Sequence, residues 1–326
     1  MGAPFVNKIF QVKNNFSELA IKLFNLQYEQ NPVYKNWCDY LGTNANSITS
    51  VEKIPFLPIS LFKTKKVLTG NDEYALFFES SGTTQNSKSR HYIKDIQVYI
   101  ESFSRGFELF YGDIKEWCII GLLPSYLQQQ HSSLIKMVDE LIKRSGHTES
   151  GFYLNEVGQL HQVLQQLEQH GQKTLLIGVT YALLDFAEQY PMQLSSTVIM
   201  ETGGMKGRRK EITRNEVHDI LKQRFHIPQV HSEYGMSELL SQAYAGANGI
   251  FNCPPWMKVL VRDEDDPLLV KIKGKGALNI IDLANINSCA FIATDDVGEV
   301  FEDGSFAVAG RLDGSDIRGC SLMVIS

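Results

Sequence analysis

Phe78-Glu79-Ser80-Ser81-Gly82-Thr83-Thr84-Gln85-Asn86-Ser87-Lys88-Ser89-Arg90 follows a strand-like run at 74–79 and gathers hydroxyls, one glycine and two cations into a short loop. Free backbone N–H groups and Ser or Thr hydroxyls can donate to phosphate oxygens, and Lys88 and Arg90 can neutralise their charge. The same composition also makes an ordinary polar turn between strands, so the loop has to be placed among its neighbours. It is not a G-x-x-x-x-G-K-[ST] loop: Gly274-Lys275, the Gly-Lys candidate, is followed by Gly276 and lacks the upstream glycine. Neither G-x-S-x-G nor H-E-x-x-H occurs, so neither a nucleophile-elbow hydrolase nor a zincin is indicated.

Upstream of the loop, Ile9, Phe10, Phe16, Leu19, Leu23, Phe24 and Leu26 recur at three- and four-residue spacing and predict an amphipathic helix over 7–30, ended by Pro32. A second helix is expected to carry Val33, Trp37, Tyr40 and Leu41 on one face and to stop at Gly42. The proline-bearing stretch 54–59 reads as an extended crossing segment. Downstream, the pattern predicts helices over 95–110, 131–143, 156–169, 181–189 and 213–224, alternating with strands at 116–123, 174–179 and 197–200. The last helix opens with the capping box Thr213-x-x-Glu216, whose reciprocal bonds satisfy two otherwise unpaired N–H groups.

This βα alternation predicts an α/β layer structure. From Trp256 onward strands and turns take over, with hairpins expected at 259–272 and 277–284 and a β-rich lobe closing the chain. No repeat or Gly/Ser linker divides the sequence, which reads as a single domain over 1–326. Its expected parts are a helical N-terminal segment (1–70), an α/β core (71–250) and the β-rich lobe (251–326).

Bulk composition narrows the function. The 326 residues, 43% hydrophobic and 10% aromatic, suffice for a large core. With 37 acidic against 31 basic side chains the net charge is -6, so no overall positive field exists to hold a nucleic-acid backbone. The five cysteines are widely spaced and include no C-x-x-C pair, indicating neither a disulfide framework nor a zinc site. The apolar run at 117–123 is far short of the roughly 18–20 residues that cross a bilayer. The N-terminus lacks a leader pattern, and Val6 breaks the myristoylation motif. A soluble cytoplasmic protein with no stable membrane insertion is expected.

Further motifs follow in order. Ser80-Ser81-Gly82-Thr83-Thr84 is succeeded by Tyr234-Gly235-Met236-Ser237-Glu238, then Thr294-Asp295-Asp296-Val297-Gly298, then Gly310-Arg311-Leu312-Asp313. This succession resembles the adenylate-forming superfamily over residues 55–320. Within it, residues 201–210 (Glu-Thr-Gly-Gly-Met-Lys-Gly-Arg-Arg-Lys) and Arg318-Gly319-Cys320-Ser321-Leu322 resemble the acyl-protein synthetases of bacterial luminescence fatty-acid reductases, with phenylacetate-CoA ligases as the neighbouring family. The resemblance implies the N-terminal-domain fold of adenylating enzymes, α/β with layered sheets and a β-rich C-terminal lobe. It also implies ATP- and Mg²⁺-dependent activation of a carboxylic acid, of the fatty-acid class, to an acyl-adenylate. The acyl acceptor would be a protein thiol, an acyl reductase, a carrier protein or CoA.

Residue roles come over on the same terms. The loop Ser80, Ser81, Gly82, Thr83 and Thr84, with Lys88, would cradle phosphates, and Ser237, where the family has Thr, would bind the α-phosphate. Glu238 would hold Mg²⁺, Asp296 would bind ribose hydroxyls, with Asp295 an extra acid beside it, and Arg311 would contact ribose or phosphate. Gly203 and Gly204 would let backbone approach the adenine plane, beside Tyr234 and Gly235. Larger adenylating enzymes carry a C-terminal lid domain with a catalytic lysine, whereas this chain stops at Ser326. The expectation is therefore a lid-less domain in which Lys206 replaces that lysine or a partner subunit closes the site. Cys320 corresponds to a cysteine that accepts the acyl group as a thioester, and His131 would belong to a loop over the carboxylate.

Each residue also has a plainer explanation. Tyr234 to Glu238 could be a strand-to-helix turn, Gly203-Gly204 an ordinary turn, Lys206 with Arg208, Arg209 and Lys210 a solvated basic face. Cys320 could be a small buried hydrophobe, and His131 a helix-terminal residue. Two other readings remain open: an acyl- or aryl-CoA ligase, and a nucleotide- or acyl-binding module without turnover.

Overall fold

The computed structural model describes residues 8–43, 45–80, 88–124, 129–203, 212–263 and 265–312, and the chain forms two compact units. Among the described residues, the first draws on 8–103, 235–242 and 252–312, the second on Ser104–Tyr234 and Ala243–Phe251.

The first unit is built on an antiparallel sheet. Strand Gly274–Asp282 lies between Met257–Arg262 and Phe291–Val300, and Phe306–Arg311 pairs with the far side of Phe291–Val300. Val270–Lys271 turns back on Met257–Arg262 as the expected hairpin. The hairpin expected at 277–284 is instead one strand, because the chain reverses only after Asp282, whose carboxylate accepts from Ala284 N and fixes the corner. Leu57–Pro58, the extended crossing segment, pairs in parallel with Phe291–Val300.

Helix Phe16–Gln30 buries Leu19, Ala20, Leu23, Phe24 and Leu26. The helix expected over 7–30 is interrupted: Lys8 and Ile9 are helical, but 10–15 forms turns around Lys13-Asn14-Asn15, a polar run better suited to a cap than to a helix interior. Helix Pro32–Tyr40 is capped by the Asn31 side chain, with Pro32 in the first turn. Its buried face is Tyr34 and Cys38 rather than Val33, Trp37 and Tyr40; Tyr40 is exposed, and the Trp37 indole is drawn off to donate to Phe56 O.

The second unit is a parallel sheet in the spatial order Gly151–Phe152, Cys118–Leu122, Thr174–Gly178, Thr197–Glu201, His231–Tyr234, with Ala243–Ala245 antiparallel at its edge. Every residue of Cys118–Leu122 and Thr174–Gly178 is buried, as expected where crossover helices cover both faces. Those helices are Ser133–Ser145, Val157–Gln169, Thr180–Gln189 and Arg214–Phe225. Thr213 caps the last through the capping box anticipated above. His131 and Gly203 lie in segments leaving the carboxyl ends of the parallel strands, and Tyr234 is the last residue of its strand, at the edge where open α/β sheets hold ligands.

Candidate active site

The strands Leu76–Glu79 and Arg90–Ile93 pair antiparallel, Glu79 opposite Arg90, and form the base of the hydroxyl-rich loop. Ser80 is buried at this base: its N–H donates to Ser89 O at 3.1 Å, and its hydroxyl accepts from Ser89 N at 3.1 Å. Lys88 and Arg90 reach the Glu79 carboxylate at 3.5 and 3.0 Å. Ser81, Gly82, Thr83 and Thr84 lie outside the described residues.

The same hairpin grips the Tyr234–Glu238 motif from the other end of the sequence. Ser237 Oγ donates to Glu79 O at 3.1 Å, and His91 Nδ1 lies 2.9 Å from Ser237 O. Because a carbonyl can only accept, that nitrogen carries the proton. Burial pushes the His91 imidazole down to about 4, against which the bond to Ser237 pulls weakly, so the ring stays neutral.

After Ser237 the chain makes a turn rather than a helix. Glu238 is fully buried, and Asn285 Nδ2 donates to its carbonyl at 2.8 Å. The next residues hang on Asp282, whose carboxylate accepts from Leu240 N at 2.8 Å, Ser241 N at 3.0 Å and Ser241 Oγ at 2.6 Å. Burial raises the Asp282 carboxyl despite these donors. Asn285 is held in turn by helix Phe16–Gln30: Gln27 donates to Asn285 O and Ile286 O and accepts from Ala290 N.

Asp296 and Arg311 face each other on adjacent strands. Arg311 Nε is 3.4 Å from Asp296 Oδ1, and its Nη2 donates to Asp295 at 3.0 Å. Both Asp296 and the Arg311 side chain are nearly buried, at 4% and 7% exposure, so this ion pair is only weakly screened. Asp295 thus shares the guanidinium with its neighbour.

In the second unit, Gly203 adopts φ 65 and its carbonyl accepts from Thr180 N and Oγ1. This left-handed conformation is one that only glycine adopts without strain. Thr202 Oγ1 donates to Glu233 at 2.6 Å. Burial, reinforced by the nearby Glu201 charge, lifts the Glu233 carboxyl to about 7, with the Thr202 bond opposing. Glu201 itself, buried, meets Arg214 Nε at 3.2 Å. Burial alone would raise its carboxyl, but bonding to His218 and the Arg214 charge bring it below the usual carboxylate range. Tyr234 is buried against Phe251. His131 is exposed in the turn before helix Ser133–Ser145. Gly204, Lys206 and Cys320 lie outside the described residues.

The structure therefore joins Ser80, Lys88 and Ser237 around one hairpin, with Gly235 and Glu238 adjoining in sequence, and pairs Asp296 with Arg311. Motif reading missed His91, Asp282, Asn285 and Gln27, all buried polar groups. The signal in the sequence is a polar residue inside an otherwise apolar run, such as Asp282 between Ile280-Ile281 and Leu283-Ala284.

Comparison with known proteins follows the same line. A family model described as acyl-protein synthetase, LuxE, matches residues 6–326. A long-chain-fatty-acid–luciferin-component ligase of Vibrio harveyi is 21% identical over 346 aligned residues, covering 99% of this chain and 90% of the relative. The ligase of the same name from Aliivibrio fischeri is 24% identical over 330, covering 94% and 86%. Among solved structures, 2-hydroxyisobutyryl-CoA ligase in the postadenylation state with 2-HIB-AMP aligns with TM-score 0.63 at 12% identity, over 93% of this chain and 69% of that one. ATP-bound MatB from Rhodopseudomonas palustris aligns with TM-score 0.54 at 14% identity, over 74% of this chain. The aligned part is 49% of the MatB chain. These two likenesses show a shared fold.

Proposed function

Because the chain belongs to the LuxE family of acyl-protein synthetases, we propose that it activates a long-chain fatty acid with ATP and passes the acyl group to a protein thiol, its own Cys320 first. The acid class follows the names of the two relatives, both long-chain-fatty-acid ligases. The observation that carries the nucleotide assignment is the lock between the loop base and the second motif: Ser237 Oγ on Glu79 O, and His91 on Ser237 O. It brings two segments far apart in sequence to one place in the first unit.

A substrate carboxylate attacks the α-phosphorus of ATP, the bond to the bridging oxygen breaks, and pyrophosphate leaves with the electron pair, giving acyl-AMP. The protein's part is positioning and charge stabilisation. Ser237 would exchange its bond to Glu79 O for a charge-assisted one to phosphate, and Lys88 and Arg90, now on Glu79, would turn to the polyphosphate. Asp296 would accept from ribose hydroxyls while the Arg311 guanidinium holds its carboxylate in place.

The donor set fits a magnesium ion. Among the described residues no cluster of three His, Cys, Asp or Glu side chains could hold a metal alone, and one buried carboxylate, Glu238, directly follows Ser237 in the chain. Mg²⁺ characteristically takes one or two carboxylates together with substrate phosphates. When bound it would neutralise charge on the phosphate oxygens.

In the second half-reaction a thiolate attacks the acyl carbonyl, a thioester forms and AMP departs. The cysteines among the described residues suit this poorly, since burial pushes Cys38 and Cys253 up to about 12 and Cys118 up to about 11. ATP/pyrophosphate exchange over a panel of carboxylic acids, followed by mass spectrometry of the protein, tests the proposal. Exchange should be strongest with long-chain acids, and Cys320→Ala should keep exchange while losing the bound acyl group. Absence of exchange with every acid would reject the activity. Acyl-CoA formation without any acylated protein would restore the CoA-ligase alternative, which family membership does not favour.

A further inference from the structure

Asp296 does not sit on a regular strand. In the pairing of Gly274–Asp282 with Phe291–Val300, Ala277 lies opposite Val297 but Asn279 lies opposite Ala293, so residues 294–296 bulge out opposite Leu278. A bulge removes residues from the ladder and leaves their polar backbone groups to be satisfied by other means.

Leu312 N donates to Asp295 O at 2.8 Å, and two side chains, Arg262 and Thr294, supply further bonds. Arg262, 8% exposed, projects from the neighbouring strand across Gly274–Asp282. Its Nη1 donates to Leu278 O at 3.0 Å and Asn279 Oδ1 at 2.8 Å, and its Nη2 donates to Thr294 O on the bulge itself. Thr294 completes the stitch: its hydroxyl donates to Leu278 O at 2.7 Å and accepts from Asp296 N at 3.2 Å. Two carbonyls on different strands are thus held by a single planar guanidinium, whose fixed fork no lysine reproduces.

We infer that Arg262 is a positioning residue for the Asp296–Arg311 pair, holding the 294–296 bulge that presents Asp296 to the nucleotide. The inference rests on the proposed role of Asp296 in binding ATP.

Steady-state ATP/pyrophosphate exchange on the full chain tests both parts separately. Asp296→Asn is expected to raise KM for ATP by about tenfold or more; an unchanged KM would remove the nucleotide role of Asp296 and the inference with it. Arg262→Lys, with its fold checked by circular dichroism, is expected to raise KM for ATP about tenfold while kcat falls less than about threefold and KM for the acid stays constant. In the Asp296→Asn background the same substitution should add nothing further, because the two act through one contact. If Asp296→Asn raises KM but folded Arg262→Lys binds ATP normally, or if the two effects add in full, the inference fails while the nucleotide role stands. Should Arg262→Lys prove insoluble, Thr294→Val decides: it removes the other half of the stitch at nearly constant volume. It should show the same ATP-selective loss, and a wild-type KM for ATP in that variant overturns the inference.

Discussion

His91 and Glu233 are both desolvated, yet acid acts on them in opposite senses. His91 is held at about 4 against an ordinary 6.5, so between these values the unfolded chain binds a proton that the native state refuses. Its contribution to stability is complete above pH 6.5 and lost as pH falls toward 4. Glu233 is raised from 4.5 to about 7, so the native state retains a proton that the unfolded chain releases. The burial penalty on Glu233 is absent below pH 4.5, grows through the window, and is complete above 7. His91→Asn, which keeps a donor for Ser237 O without the titration, should flatten the acid limb of a stability-versus-pH curve from urea melts. His91→Ala, which loses that donor and the edge-on contact with Phe62, should cost about 2 kcal/mol at neutral pH. Glu233→Gln should stabilise the protein above pH 7 by on the order of 2 kcal/mol and have little effect near pH 4.5. None of this is visible in the string of residues, since neither group has an unusual neighbour in sequence; their burial and partners are created by the fold.

At the scale of elements, local signals were trustworthy where they were self-contained. The box of Thr213 and Glu216 needs only four consecutive residues, and both its bonds are present, Glu216 N to Thr213 Oγ1 at 3.2 Å and Thr213 N to Glu216 at 2.7 Å. Thr213→Ala should therefore lower unfolding free energy by about 1 kcal/mol in a denaturant titration. The hairpin expected at 277–284 failed because Leu278-Asn279-Ile280-Ile281-Asp282 reads equally as a strand interior or a strand with a turn, and the tertiary pull of Asp282 on Leu240 and Ser241 decides. Gly298 illustrates the same non-local control. A Cβ there would lie 2.0 Å from Ala307 O, so Gly298→Ala must push two strands apart. The expected loss is roughly 3 kcal/mol or more, seen as a lower denaturation midpoint or as insoluble protein.

Over the whole molecule, the α/β alternation and the order of the four motifs were legible, because each motif is short and its elements are strongly patterned. What supports them was not. Gln27 on one stretch of chain and Asp282 with Asn285 on another brace the segment from Glu238 to Ser241, and such long-range wiring leaves no trace in spacing. The two units also differ in how their pieces are distributed: the second is nearly one continuous stretch, Ser104–Tyr234, whereas the first needs Leu57 to meet Ile292. Contacts so distant form slowly and late. On a translating ribosome the parallel sheet can close while the first unit still waits, its N-terminal helices already emerged and their apolar faces uncovered, until the strand bearing Asp296 leaves the exit tunnel.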